Sequence, residues 1–452
     1  MMTGKRASLR VFSHSSCRSL VAAITITVAL FSLMPLATCA SNRGRFEGVV
    51  VSAIPFMGPP RYFLNVSQSG LIRLLAPQEI PIASMVGWRV VVEGSMETQG
   101  KRVIQASSIR PVSPTAASAT KRLPSIMMLA SFSDLAPSKT RTELNNMAVQ
   151  GQGYYSEVSY GKARVTGKVV TDWEQMPNNE CYYGEDDDDS WELVRDAVNA
   201  FDGEVNFGKH NYVVVTHAGN GEEASGVQCD IWSVRWQGLL IWTNDFIIVT
   251  HGAIVPETEP SPKSPLGAWV HEYGHELGLP DLYLRSGGDL VGPWDLMAGG
   301  SWNGDGATPA HPSAYCKIFE GWIASTQITI VNAGSKSTVT IGALESSSGK
   351  LVVKLPLADG KYYLIEYRRK IGYDAALPDE GIVITLVDPS KASGQGIVTV
   401  IDRNPGTSTL DDAAFRTGES YNNPSATIAV SVISTSASSA VILVDRTQQN
   451  PT

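Results

Sequence analysis

His271-Glu-Tyr-Gly-His-Glu-Leu-Gly-Leu-Pro-Asp281 carries more information than any other stretch of this 452-residue sequence. On a helix, His271 and His275 lie four residues apart and share a face, so both imidazoles can converge on one ion. Glu272, beside the first histidine, is placed to take a proton from a metal-bound water. Gly278 falls where a left-handed residue ends a helix, and Pro280 blocks its continuation. The chain then turns back, and Asp281 can reach the ion from the other side. Two imidazoles and one carboxylate leave a fourth position for water, as a catalytic zinc site requires. The expected metal ligands are therefore His271, His275 and Asp281, with Glu272 as general base.

The helix has its own signals. Ser264 can cap it and Pro265 suits its first position. Leu266, Trp269, Val270, Tyr273 and Leu277 recur with helical spacing and give one apolar face. Downstream, Gly292-Pro-Trp-Asp-Leu-Met297-Ala-Gly-Gly-Ser-Trp302 resembles a Met-turn, which sets a methionine as an apolar floor beneath the metal.

With these motifs the chain resembles the immune inhibitor A-type metallopeptidases, a secreted family related to the metzincins. Tyr154-Tyr-Ser-Glu-Val-Ser-Tyr-Gly161 and Val165-Thr-Gly-Lys-Val169 are similar to the family's opening segment. Val213-Val-Val-Thr-His-Ala-Gly219 resembles its central strand, and Leu279-Pro-Asp-Leu-Tyr283 its core. Tyr363-Leu-Ile-Glu-Tyr-Arg-Arg369 and Gly372-Tyr-Asp-Ala-Ala-Leu-Pro378 are similar to the strands that follow the protease domain. The resemblance spans residues 123 to 390. Two positions depart from it. The segment 202–211 is poorer in carboxylates than the calcium-suited loop of many relatives. Gly299 stands where some metzincins carry an oxyanion-stabilising tyrosine, so Tyr283, Tyr315 and His311 become the candidates.

Composition narrows the class. A net charge of −8 argues against a nucleic-acid surface. Residues 1–40 read as a signal: Lys5, Arg6, Arg10 and Arg18, an uncharged run 20–36, then small residues 37–40. Cleavage and release, lipid attachment at Cys39, and an uncleaved membrane anchor all remain open, so the location is secreted or cell-surface. An exported chain can form disulfides. Cys181 and Cys229 could pair, which leaves Cys316 a lone buried thiol.

The fold expected is multidomain α+β. Residues 44–112 hold five short β-rich runs, at 46–54, 62–66, 71–75, 88–94 and 102–109, suited to a small N-terminal β-barrel of the oligonucleotide/oligosaccharide-binding type. A small polar linker occupies 113–122. Residues 123–327 form a zincin-like α/β catalytic domain, with strands at 125–132, 212–216 and 246–250 and helices at 192–201 and 311–322. Residues 328–447 read as a C-terminal β-sandwich. Glu185-Asp-Asp-Asp-Asp189 favours the helix start that follows it through the helix dipole, and carboxylates are also the hard ligands of a structural Ca²⁺. His217 and His251 read as structural or cleft-rim histidines, and Trp232, Trp236 and Trp242 as core, with the lining of a substrate cleft as the alternative. Asp295 is either a turn cap or a partner of a metal-bound histidine.

These readings predict an exported zinc endopeptidase that acts on proteins or peptides through a zinc-bound water and the base Glu272. The alternatives are a catalytically silent adhesion or scaffold protein of the cell surface that keeps the fold, and a zinc hydrolase of a non-peptide substrate.

Overall fold

The computed structural model describes residues 42–53, 61–66, 70–75, 89–97, 103–111, 121–185, 190–210, 212–284 and 286–447. The expected signal, the linker up to residue 120, Asp186 to Asp189 of the acidic run and the tail 448–452 lie outside the described residues.

Strands β1 (Asn42–Ala53), β2 (Arg61–Val66), β3 (Gly70–Leu75), β4 (Arg89–Glu97) and β5 (Val103–Pro111) open the described chain. They run in the order β1-β2-β3-β5-β4 around a closed barrel, with β3 and β5 parallel. Leu74, Val92 and Ile104 are buried in it.

The next segment is built on a five-stranded sheet. Its elements are β6 (Lys121–Ser131), α1 (Arg141–Val158), β7 (Ala163–Gln175), α2 (Glu180–Gly184), α3 (Trp191–Phe201), β8 (Tyr212–Asn220), α4 (Glu222–Ser225), β9 (Val234–Trp242), β10 (Ile248–Thr258) and α5 (Leu266–Leu277). The strand order is β7-β6-β8-β10-β9. β7, β6, β8 and β10 are mutually parallel, and β9 is an antiparallel edge. Parallel neighbours need crossovers, and α1 and α3 supply them. The buried run of β8 reflects cover on both faces.

Several expectations need correction here. Helix α1 went unread because Gln150, Gly151, Gln152 and Gly153 dilute its apolar pattern. Thr140 and Glu143 nevertheless form a capping box at its start, a legible signal. The strand expected at 246–250 is displaced. β10 begins at Ile248, and Phe246 sits in the preceding turn at φ 59° with 90% exposure. Trp232 and Trp242 are not core but 44% and 68% exposed, and Trp242 ends a strand that has no neighbour on its outer side among the described residues.

Cys181 and Cys229 are disulfide-bonded, joining α2 to the loop before β9, and Cys316 is free and buried. The bridge spans 48 residues of sequence. Chain-entropy reasoning gives such a closure about 4 kcal/mol. Cys229→Ser should therefore lower the urea midpoint of the oxidised protein clearly; an unchanged midpoint would show that the bridge adds nothing.

The remaining elements are α6 (Ala314–Phe319), β11 (Ile328–Ile330), β12 (Lys336–Gly342), β13 (Val352–Pro356), β14 (Tyr362–Arg368), β15 (Gly381–Val387), β16 (Val398–Val400), β17 (Ser420–Asn423), β18 (Ile428–Thr435) and β19 (Ser439–Asp445). They give two sheets, β11-β13-β14-β15-β16 and β12-β19-β18-β17. Val353, Ile365 and Ile384 of one meet Ile341, Val430 and Ile442 of the other in a shared core. The opposite face of the first sheet joins the larger core. Val352, Leu364, Val383 and Val398 belong to the same buried cluster as Met127, Val214 and Trp269. The chain is thus a multidomain α+β protein in which the sheets before and after α6 are packed together.

Candidate metal centre

Tyrosines tie α5 to its surroundings. Tyr155 donates to the carbonyl of Val270, Tyr212 to that of Glu272 at 3.3 Å, and Tyr273 bonds Ser125 at 2.7 Å. On its flank, Glu276 pairs with Arg235 and His251, each at 3.1 Å. His251 is thereby a structural partner of α5, as expected. His217 is fully buried, with Nδ1 at 2.8 Å from the carbonyl of Ala218.

The helix starts at Leu266, one residue later than expected, with Pro265 in the capping position and Ser264 accepting from the N–H of Leu266 at 3.3 Å. It ends at Gly278, whose φ of 112° strongly favours glycine. The N–H of Leu279 then returns to the carbonyl of Gly274 at 2.9 Å, a Schellman closure that reverses the chain.

That reversal brings Asp281 back to the histidines. Its Oδ1 lies 3.0 Å from His275 Nε2 and 3.4 Å from His271 Nε2. Ligand atoms of all three fall within 4.8 Å of one another, and no other such group occurs among the described residues. Each imidazole is held from behind. Nδ1 of His271 is 3.0 Å from the carbonyl of Leu296, and Nδ1 of His275 is 2.8 Å from that of Leu279. Donating Nδ1–H to a carbonyl leaves the Nε2 lone pair facing inward, the tautomer a metal needs. Burial works to raise the Asp281 carboxyl, but the two imidazoles hold it well below the usual carboxylate range.

Glu272 is buried, and its Oε2 has no hydrogen-bond partner among the described residues. Burial pushes its carboxyl up to about 8; His271 opposes the rise, and Asp281 and Glu223 add to it. A divalent cation beside it would pull that value back down. Two imidazole nitrogens, one carboxylate oxygen and a buried oxygen with no partner among the described residues fit a metal ion with an open position.

Met297 lies fully buried under the helix. A Cβ added at Gly274 would sit 2.7 Å from its Sδ, so α5 and the turn approach as closely as glycine allows. Asp295 proves to be the turn's cap. Its Oδ1 accepts from the N–H of Met297, and its Oδ2 from that of Ser313, both at 2.7 Å. His271 is oriented instead by a main-chain carbonyl of the same turn.

The helix expected at 311–322 shrinks to α6, because the residues before it serve this support. The Ala314 N–H donates to Glu366 at 2.6 Å and the His311 N–H to Asp374 at 2.8 Å. His311 has both ring nitrogens occupied, by Lys317 and Glu157 at 3.0 Å each, and Tyr315 is buried in the core. Of the three oxyanion candidates only Tyr283 lies beside the ligands, its ring stacked 6.2 Å from that of His271.

Sequence reasoning missed Arg368. Its guanidinium is fully buried and grips Asp374 with two nitrogens, at 2.8 and 3.0 Å, and Glu366 at 3.0 Å. It also donates to the carbonyls of Trp294 at 2.6 Å and His311 at 3.3 Å. A strand arginine carries no spacing signal, so nothing local could have revealed this role.

Comparison with known proteins agrees with the motif. Residues 200–325 match the immune inhibitor A peptidase M6 catalytic domain. Immune inhibitor A of Bacillus thuringiensis subsp. alesti is 31% identical over 216 residues, 37% of this chain and 31% of that protein. The pre-pro-metalloprotease PrtV of Vibrio cholerae serotype O1 is 28% identical over 255 residues, 45% of this chain and 28% of that protein. The matched regions span less than a third of either relative. A crystal structure of OgpA from Akkermansia muciniphila covers 64% of this chain and 93% of that one, at 13% identity and a TM-score of 0.31, a likeness too weak to bear on fold or substrate. The helix with its three converging side chains lies inside the segment that matches the immune inhibitor A peptidase M6 catalytic domain.

Proposed function

We propose that this chain is an exported zinc endopeptidase acting on proteins or peptides, with a zincin-like catalytic unit between an N-terminal barrel and a C-terminal β-sandwich. The observation that supports it best is the convergence of His271, His275 and Asp281 beside the unpartnered buried carboxylate of Glu272. The three ligands would hold Zn²⁺, which when bound supplies a Lewis acid that acidifies water and polarises the scissile carbonyl. Glu272 takes the proton of the attacking water at its buried carboxylate and returns it to the leaving amide nitrogen. His271 and His275 are kept from rotating by the carbonyls of Leu296 and Leu279. Tyr283 is the side chain best placed to donate to the developing oxyanion.

Export rests on the signal read at residues 1–40. Among the described residues no helix is long and apolar enough to cross a membrane. Asp186 to Asp189, the carboxylates suited to a structural Ca²⁺, lie outside the described residues.

Digestion of casein or gelatin by the mature protein, with metal analysis of the same sample, tests the reading. Zinc with protease activity is the expected result. Zinc without proteolysis would favour a non-peptide substrate, and neither would favour a silent scaffold. Asp281→Ala should lower zinc affinity by more than the roughly 10–100-fold typical of losing a supporting hydrogen bond. Retained affinity would mean that another group completes the shell.

A further inference from the structure

The third ligand, Asp281, is gripped by a loop from outside the matched catalytic segment. β15 and β16 are joined by residues 388–397, closed at the base by the Asp388 N–H donating to the carbonyl of Ile397 at 2.8 Å. Ser393 and Gly394 of this loop grip Asp281. The Ser393 hydroxyl accepts from the Asp281 N–H at 2.9 Å and donates to Asp281 Oδ2 at 3.1 Å. The Gly394 N–H donates to the Asp281 carbonyl at 3.0 Å, and a bridge between Leu284 and Gln395 extends the contact. Three of the four polar atoms of Asp281 are thus engaged by two consecutive residues. The fourth, Oδ1, is the one that faces both imidazoles.

We propose that Ser393 is a positioning residue for the metal centre: it locks the Asp281 side chain and occupies Oδ2, so that Asp281 offers the ion Oδ1 alone. The proposal rests on the metal-site reading above. Its chemistry is that of an outer hydrogen bond which orients a ligating carboxylate. A carboxylate free to turn about its Cα–Cβ bond offers two oxygens in several orientations, and a second bound oxygen would fill the position that a catalytic site keeps open. One hydroxyl that accepts from the main chain and donates to the side chain of the same residue removes that freedom.

The test uses full-length Ser393→Ala and Ser393→Thr. Zinc affinity is read by chelator competition, coordination by the visible absorption of the Co²⁺-loaded protein, and folding by the melting midpoint of the metal-free protein. Ser393→Ala should weaken zinc affinity about 10–100-fold and alter the Co²⁺ bands, with the metal-free midpoint unchanged. Ser393→Thr keeps the hydroxyl and should stay close to wild type in all three. Unchanged affinity and Co²⁺ spectrum in Ser393→Ala would overturn the proposal. So would a fall in the metal-free midpoint with a wild-type Co²⁺ spectrum, which would make Ser393 merely structural. A wild-type protein that binds no zinc, or Asp281→Ala binding as tightly as wild type, would instead sink the metal-site reading beneath it.

Discussion

Glu272→Gln is expected to lower peptide hydrolysis by about 10²–10⁴-fold while leaving zinc content unchanged. The side chain is buried, nearly isosteric with its replacement, and contributes no ligand atom to the converging group. Gln keeps the shape but has no basic oxygen with which to take a proton at neutral pH. Because Oε2 has no partner among the described residues, the substitution breaks no hydrogen bond there that the fold depends on. The discriminating measurement is turnover of a peptide substrate together with metal analysis of the same sample. Wild-type turnover would remove Glu272 from the mechanism, and zinc loss in step with activity would recast it as part of the metal shell.

Arg368→Met should be the most destabilising single change outside the centre. It removes a fully buried cation that faces Asp374, Glu366 and Glu345 at 2.8, 3.0 and 3.6 Å. Losing one partner of a buried ion pair costs roughly 3–5 kcal/mol, because the charge left behind keeps its desolvation penalty. The carbonyls of Trp294 and His311 lose their donor as well. Since Trp294 lies in the Met-turn, zinc affinity should fall together with stability. Arg368→Lys should recover only part of the loss, because an ammonium does not reproduce the two-nitrogen grip on Asp374. Chemical denaturation of the metal-free protein settles it: a midpoint equal to wild type would show that the network rearranges without cost.

Both results would bear on where the catalytic unit ends. The family match stops at residue 325, yet Glu366, Arg368, Asp374 and Ser393 lie beyond it and reach the Met-turn, α6 and Asp281. The buried cluster around α5 also draws on Leu364 and Val383 of the following sheet. Removing residues after 327 would therefore expose a core face as well as unseat the centre.

Sequence by itself determined whatever local periodicity encodes. The spacing of His271, Glu272 and His275 places them on one helical turn, Gly278 and Pro280 end that helix, and Asp281 follows at the distance a reversal requires. Short β-rich runs bounded by turn residues located the five strands of the barrel. Tertiary structure alone decided the rest. Nothing in the sequence around Trp242 says that β9 is an edge, since edge status depends on which strand is absent beside it. Nothing around Ser393 or Arg368 says that they brace a centre more than seventy residues away in sequence, since a serine hydroxyl and a buried guanidinium acquire their roles only from the groups that folding brings to them. The convergence of His271, His275 and Asp281 is a property of one helix and its turn; its rigidity is a property of three-dimensional packing.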